Sequence, residues 1–231
     1  MIYNNKLFKV LIPARGGSKG LKNKNIRMLS SKPIIQYTIE EANNIFDVKD
    51  IFVSTDSSEI KEVAEKLGIL VPKLRPKSIS DDLTPMKDVI LHFLENVNKL
   101  DYLVLLQPTS PLRRKKTLEK AIKLVETGSA DSSITLKDNH LFFWEQDGPF
   151  VRPKYTDRPR RQDMDPQLSE TGSIYVTKYK SFLETGIRLS GKTKSVVCED
   201  SESVDVDSLF DLKFVNFLVD EYLSEWSKEL T

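Results

Sequence analysis

One cysteine, Cys198, and two histidines, His92 and His140, are all that 231 residues offer to thiol or imidazole chemistry. A single thiol excludes an internal disulfide framework and a cysteine-rich metal site, and Cys198 is expected to be a small buried residue. No third ligand lies near either histidine, and no Ser/His/Asp or Cys/His triad assembles. An excess of either charge is also missing, because 35 Lys+Arg face 34 Asp+Glu and leave +1. A general nucleic-acid partner, which calls for a basic surplus, is therefore not expected. The apolar run over residues 9–14 is too short for a membrane span or a signal core, so the expectation is a cytoplasmic protein with no membrane partner. The composition, 39% hydrophobic and 30% charged, is that of a soluble globular chain. Its length fits one domain spanning 1–231.

The charges present are unevenly spread. Residues 1–39 hold eight Lys/Arg and no Asp or Glu, whereas residues 198–231 hold ten Asp/Glu and two lysines. Folded together, the two ends would make a site for a phosphate and its metal; kept apart, they are solvated faces.

Residues 7–13 read as a buried strand ended by Pro13. A Gly- and Lys-rich loop over 14–25 leads to a helix from about Pro33, a residue suited to the first helical position. Residues 50–55 form a second strand, and Ser57 caps a helix that Gly68 ends. A helix is predicted over 84–100. The wholly apolar segment 102–106 is the expected central strand, since parallel strands are covered on both faces. A helix around 118–125 ends at Gly128. Shorter strands follow at 173–176 and 195–197, then a helix over 208–223. This alternation predicts an α/β fold, mainly parallel and doubly wound in the Rossmann-like manner, with ligands beyond the carboxyl ends of the strands. Between about 141 and 167 the pattern breaks into prolines, aromatics (Phe142, Phe143, Trp144, Phe150, Tyr155) and the basic cluster Arg158, Arg160 and Arg161. That stretch reads either as an irregular loop or as an inserted arm with a contact surface.

The loop Ala14-Arg15-Gly16-Gly17-Ser18-Lys19-Gly20-Leu21-Lys22-Asn23-Lys24-Asn25 carries the chemistry. Three glycines in five positions allow close approach and positive φ. Consecutive amides, with the fixed charges of Arg15, Lys19 and Lys24, make a phosphate cradle. It is neither a Walker loop nor G-x-G-x-x-G. Near the other end, Asp205 and Asp207 lie two apart, so in an extended segment they share one face while Val204 and Val206 turn inward. Such a pair suits Mg²⁺, which takes one or two carboxylates beside water and substrate phosphates, and it equally suits a solvated edge.

The block through Arg27 resembles the opening signature of the acylneuraminate cytidylyltransferases, the CMP-sialic acid synthetases. The resemblance recurs in order at Ile51-Phe52-Val53-Ser54-Thr55-Asp56, at Leu74-Arg75-Pro76 and at Ser80-Asp81-Asp82. It continues at Leu105-Leu106-Gln107-Pro108-Thr109-Ser110-Pro111-Leu112-Arg113, at Arg161-Gln162, at Gly172-Ser173-Ile174-Tyr175 and at Val204-Asp205-Val206-Asp207. It implies a nucleotidyltransferase that moves CMP from CTP to the anomeric hydroxyl of a nonulosonic (sialic-type) acid, with Mg²⁺ as cofactor and release of pyrophosphate. On the matching positions, Arg15, Gly16, Gly17, Ser18, Lys19 and Lys24 face the triphosphate, and Asn25 and Arg75 read the cytosine. Gln107 and Arg161 hold the sugar acid, and Asp205 and Asp207 hold the metal, with Arg15, Lys24 and Asp207 the catalytic group. Thr109 and Ser110 are read as shaping the turn instead. The resemblance also implies a homodimer paired through the 141–167 arm.

Two positions depart from the sialic acid pattern. Ser169 stands where an arginine is common, and Thr171 where an asparagine is usual. Legionaminic acid, pseudaminic acid or the deaminated sugar are therefore open beside N-acetylneuraminic acid. Transfer to keto-deoxy-octulosonate or a sugar phosphate, and a catalytically silent nucleotide binder, are the competing functions.

Overall fold

The computed structural model describes residues 2–3 and 6–226, with side chains from 6 to 221. Strands β1 (Ile2–Tyr3) and β2 (Lys6–Pro13) precede the glycine-rich loop and a short hairpin, β3 (Met28–Leu29) and β4 (Lys32–Pro33). Then come α1 (Ile34–Asn43), β5 (Ile51–Ser54), α2 (Ser58–Lys66), α3 (Met86–Leu94), β6 (Tyr102–Leu106) and α4 (Lys115–Glu126). The second half holds β7 (Ser132–Asn139), β8 (Trp144–Asp147), β9 (Phe150–Pro153), β10 (Gln167–Lys178), α5 (Tyr179–Thr185), β11 (Thr193–Val197) and α6 (Leu209–Trp226).

Apart from β1, the main sheet runs in the order β5-β2-β6-β10-β7-β11. Pairing is parallel for β2 with β5 and β6 and for β11 with β7, while β10 lies antiparallel to both neighbours. The sheet is thus mostly parallel, with one reversed strand. The period-two alternation of β2 explains why it takes helices on both faces. Phe8, Val10 and Ile12 join a core with α1, α2 and α4, whereas Leu11 joins Ile90, Phe93 and Phe182 of α3 and α5. A third cluster seats α6 on the glycine-rich loop and α1, through Leu21, Leu29, Ile34, Tyr37, Leu112, Val206 and Val215. That third cluster carries the acidic end of the chain to the basic end.

Several local expectations hold. Ser57 Oγ accepts the Ile60 amide at 3.3 Å, and Gly68 follows the helix at φ +79. Others are corrected. Pro33 is the N-cap of α1 in extended geometry rather than its first helical residue. Helix α3 ends at Leu94, short of 100. None of Gly16, Gly17 and Gly20 has positive φ; in that loop it is Asn23 that adopts it, at φ 56. Cys198 is half-buried. Strand β7 escapes notice in the sequence because it opens Ser-Ser-Ile-Thr. Yet Ser132, Ser133 and Thr135 are buried. Their hydroxyls are satisfied by the Ser190 carbonyl, the Ala121 carbonyl and Thr171 Oγ1, and hydrogen-bonded polar groups can be buried.

The segment at 141–167 is more ordered than an irregular loop. The far ends of β7 and β10 extend together, and the β8–β9 hairpin sits at their tip. Phe142 and Trp144 pack edge-on against Tyr155, and the Arg158 guanidinium lies 4.5 Å from the Phe142 ring centroid.

Because Leu11 is wholly buried at the centre of the sheet, Leu11→Ala should cost about 2–5 kcal/mol of unfolding free energy, read from a urea midpoint at unchanged m-value. A loss under ~1 kcal/mol would contradict the packing described.

Candidate active site

Beyond the carboxyl ends of β2 and β6 opens a cleft of about 590 Å³. The glycine-rich loop supplies Arg15, Ser18, Lys19, Lys24 and Asn25 to its wall. Arg75, Gln107, Asp205 and Asp207 of the residues expected from sequence also line it, Gly16 and Gly17 do not, and Ser80, Asp82, Thr84, Met86 and Val89 close the far side. Pro13 and Asp207, 194 apart in sequence, meet here because α6 folds back over the loop. Arg161 does not join them. It lies exposed on the arm, in a single turn over Arg161–Asp163, outside the cleft of its own chain.

Three of the four loop cations, those that line the cleft, are each matched by a carboxylate. Arg15 and Lys19 both bind Asp82, the latter at 2.6 Å. Those two donors hold the Asp82 carboxyl below its ordinary range, Lys19 more than Arg15. Lys24 Nζ lies 2.6 Å from Asp207 Oδ1, with the lysine 15% and the aspartate 73% exposed. Arg15, Lys19 and Lys24 are therefore a cationic arc held in place by Asp82 and Asp207. A triphosphate carries more charge than one carboxylate and can replace it on these donors.

The two aspartates of the C-terminal edge differ. Val206 is fully buried between them and donates its amide to the Thr109 carbonyl at 2.8 Å. Asp205 is drawn inward and accepts from Ser110 Oγ at 3.3 Å and from the Thr109 hydroxyl. Burial, and to a smaller degree the neighbouring Asp207 charge, push its pKa up. Thr109 and Ser110 thus hold a site carboxylate as well as shaping the turn, as the sequence reading had them. Among the described residues no group of three or more His, Cys, Asp or Glu is placed to hold a metal. Two carboxylates of unequal burial, beside a cradle for phosphate oxygens, remain a fitting donor set for Mg²⁺, which completes its shell with phosphate and water.

The end of the cleft at Asn25 and Arg75 carries the most informative polar atoms. Asn25 is 4% exposed and donates Nδ2–H to the Arg15 carbonyl at 2.9 Å. Its Oδ1 is buried with no hydrogen-bond partner, and so is Nε of Arg75, which is 6% exposed. Burial lowers the Arg75 pKa, opposed by Asp56 and assisted by Arg15. An acceptor and a donor, both buried and unpaired in one cleft, cost free energy unless a ligand completes them.

The glycines act through approach. Gly16 donates its amide to Asp56 Oδ1 at 2.9 Å, and a Cβ there would lie 2.9 Å from Ser57 Cβ. A Cβ on Gly20 would lie 2.6 Å from the Asp207 carbonyl oxygen, so only glycine lets the loop touch the acidic edge. Gly17 faces open space. The sequence reading missed Gly20, Asp82 and Arg113. Gly20 showed only as a third glycine, and Arg113 only as the end of a resembling block. Ser169 and Thr171 are engaged within the chain: Asn139 Nδ2 donates to Ser169 Oγ at 2.7 Å, and Thr171 pairs with Thr135.

The relatives of this chain, whose glycine-rich cationic loop follows β2, put it among the nucleotidyltransferases. The chain matches the Cytidylyltransferase family over residues 9–175, and it belongs to that family. It is 34% identical over 211 residues to the CMP-N,N'-diacetyllegionaminic acid synthase of Legionella pneumophila, covering 87% of this chain and 91% of that protein. It is 36% identical over 206 residues to N-acylneuraminate cytidylyltransferase A of Danio rerio, of which it spans 47%. A solved CMP:2-keto-3-deoxy-manno-octonic acid synthetase complexed with CTP shares the fold, with TM-score 0.67 at 18% identity over 93% of this chain and 99% of that one.

The raised pKa of Asp205 gives a stability prediction. In the window between the ordinary carboxylate pKa and the raised one, the folded state binds more protons than the unfolded state, so stability falls as pH rises through it. Asp205→Asn should therefore be more resistant to urea than wild type at pH 7, with the gain vanishing below that window. A variant less stable than wild type at both pH values would contradict the burial cost assigned to this carboxylate.

Proposed function

We propose that this chain transfers CMP from CTP to the anomeric hydroxyl of a nonulosonic acid and releases pyrophosphate. The observation that carries this reading is the pair of unpaired buried atoms, Asn25 Oδ1 and Arg75 Nε, beside the cationic arc. Cytosine offers an exocyclic amino group to the first and ring acceptors to the second. Arg15, Lys19 and Lys24 then hold the phosphates, and charge building on the equatorial oxygens and the departing pyrophosphate falls among fixed cations. Mg²⁺ bound by Asp205 and Asp207 would supply further positive charge and acidify the sugar hydroxyl. No covalent enzyme nucleophile is needed, because the attacking oxygen belongs to the sugar. Gln107 orients that sugar from the end of the central strand.

Within the nonulosonic acids we favour a legionaminic-type substrate. The Legionella N,N'-diacetyllegionaminic acid synthase is matched at 34% identity over 91% of its length. Ser169 and Thr171, engaged by Asn139 and Thr135, stand in place of the arginine and asparagine of the sialic acid pattern. An arginine for the carboxylate would then come from Arg161 of a second copy, if pairing through the arm brought it to this cleft.

The assay is direct: CTP, Mg²⁺ and a panel of nonulosonic acids with keto-deoxy-octulosonate, reading pyrophosphate and the CMP-sugar. Turnover of N,N'-diacetyllegionaminic acid is expected to exceed that of N-acetylneuraminic acid. CTP binding without turnover of any acid would make the chain a nucleotide binder. Asp207→Asn should abolish Mg²⁺-dependent pyrophosphate release while CTP still binds; unchanged turnover would remove the metal assignment. Light scattering should give a mass of two chains, and a strict monomer would remove the second-copy role of Arg161.

A further inference from the structure

Beneath the cleft lies a charged group that the functional reading leaves unused. Arg113, at the end of the turn that leaves β6, is 4% exposed. All three of its guanidinium nitrogens are engaged. Nε donates to Ser173 Oγ at 3.2 Å, and Nη1 to Thr38 Oγ1 at 2.8 Å. Nη2 donates to the Gln107 carbonyl at 2.6 Å and to the Ser173 carbonyl at 3.0 Å. One side chain therefore ties α1, the exit of β6 and β10.

Tying three elements does not by itself call for a charge, since buried ionic groups are often replaced by apolar ones without loss of stability. Burial brings the Arg113 pKa down to about 10, so it remains a cation at neutral pH. The acidic groups facing it are Glu41, Asp205 and Glu202. Its hydrogen bonds converge on one residue of the cleft. The Gln107 amide donates to the same Ser173 carbonyl, at 3.2 Å, that receives Nη2. Gln107 is thus held at its carbonyl by Arg113 directly, and at its amide through an acceptor that Arg113 also holds. With its backbone pinned on both sides, the Gln107 side chain is left free to line the cleft.

We propose that Arg113 is a positioning residue, whose fork fixes the Gln107 backbone and so sets where the Gln107 side chain meets the sugar acid. The assignment rests on the functional reading above. A planar fork serves Thr38, Ser173 and Gln107 at once, which an ammonium on a flexible stem does not. Lysine here would keep the charge near Asp205 and lose the geometry.

The test compares Arg113→Lys with Thr38→Val, which removes the fork's partner on α1, a residue that does not itself touch Gln107. For each, the KM for the nonulosonic acid that wild type turns over, the Kd of CTP by calorimetry, and the melting temperature are measured. Arg113→Lys should raise the sugar-acid KM on the order of tenfold, with the CTP Kd within about twofold. Thr38→Val should lower the melting temperature and leave that KM unchanged. An unchanged KM in Arg113→Lys, or an equal rise in Thr38→Val, would overturn the assignment. If Arg113→Lys does not fold, Ser173→Ala, which frees the fork at the residue whose carbonyl also holds the Gln107 amide, must show a raised KM with retained CTP binding, and an unmoved KM there overturns it equally. A wild-type protein that turns over no acid in the panel overturns the functional reading and this assignment with it, whereas an active wild type with unshifted variants overturns Arg113 alone.

Discussion

The ion pair between Lys24 and Asp207 joins positions 183 residues apart, and the rest of the site depends on that closure. Without it the cationic loop would be a surface turn and the acidic edge a solvated strand end. The pair itself is exposed on the aspartate side and contributes little stability. What makes it persist is the packing beneath: Val206 and Val215 on one side, Leu21 and Leu29 on the other, and a glycine at position 20 where any Cβ would strike the Asp207 carbonyl. Hydrophobic burial sets the distance, and the charges occupy the place so fixed.

That arrangement has a chemical consequence. The cleft concentrates Arg15, Lys19 and Lys24, yet each is already answered by Asp82 or Asp207. On the function proposed above, ligand binding would be an exchange of anions, with a triphosphate replacing Asp82 on Arg15 and Lys19. Reorganisation is small, because the cations are already gathered, and this is the condition under which fixed charge stabilises a developing phosphate charge. The price is borne at Asp205, whose carboxylate is kept half out of water next to a like charge.

Much of this was legible in the sequence. The apolar strands at 7–13 and 102–106, the Ser57 cap and the Gly68 stop are local signals, and they appear where the residues place them. The loop stood out by residue type and spacing, whereas the Asp205/Asp207 pair was read as a metal site only through the block that resembles the family, since spacing alone fits a solvated edge as well. Strand β7 was not legible, since its buried face is made of hydroxyls whose partners lie on Ser190, Ala121 and Thr171, far off in sequence. Arg113 was silent for the same reason: its four hydrogen bonds reach Thr38, Gln107 and Ser173, and only the fold brings them together. The loop glycines were read for positive φ, whereas Gly16 and Gly20 are required by close neighbours, which no local pattern reports.

The central claim is that this cleft reads cytosine through Asn25 and Arg75. Uracil keeps the ring carbonyl that Arg75 can address but presents a carbonyl, in place of an amino group, to the buried Asn25 Oδ1. Calorimetric titration of the protein with CTP and with UTP tests this most directly. CTP should bind tighter by about tenfold or more, the worth of one buried hydrogen bond gained against one acceptor left unpaired. Equal affinity for the two nucleotides would contradict the account.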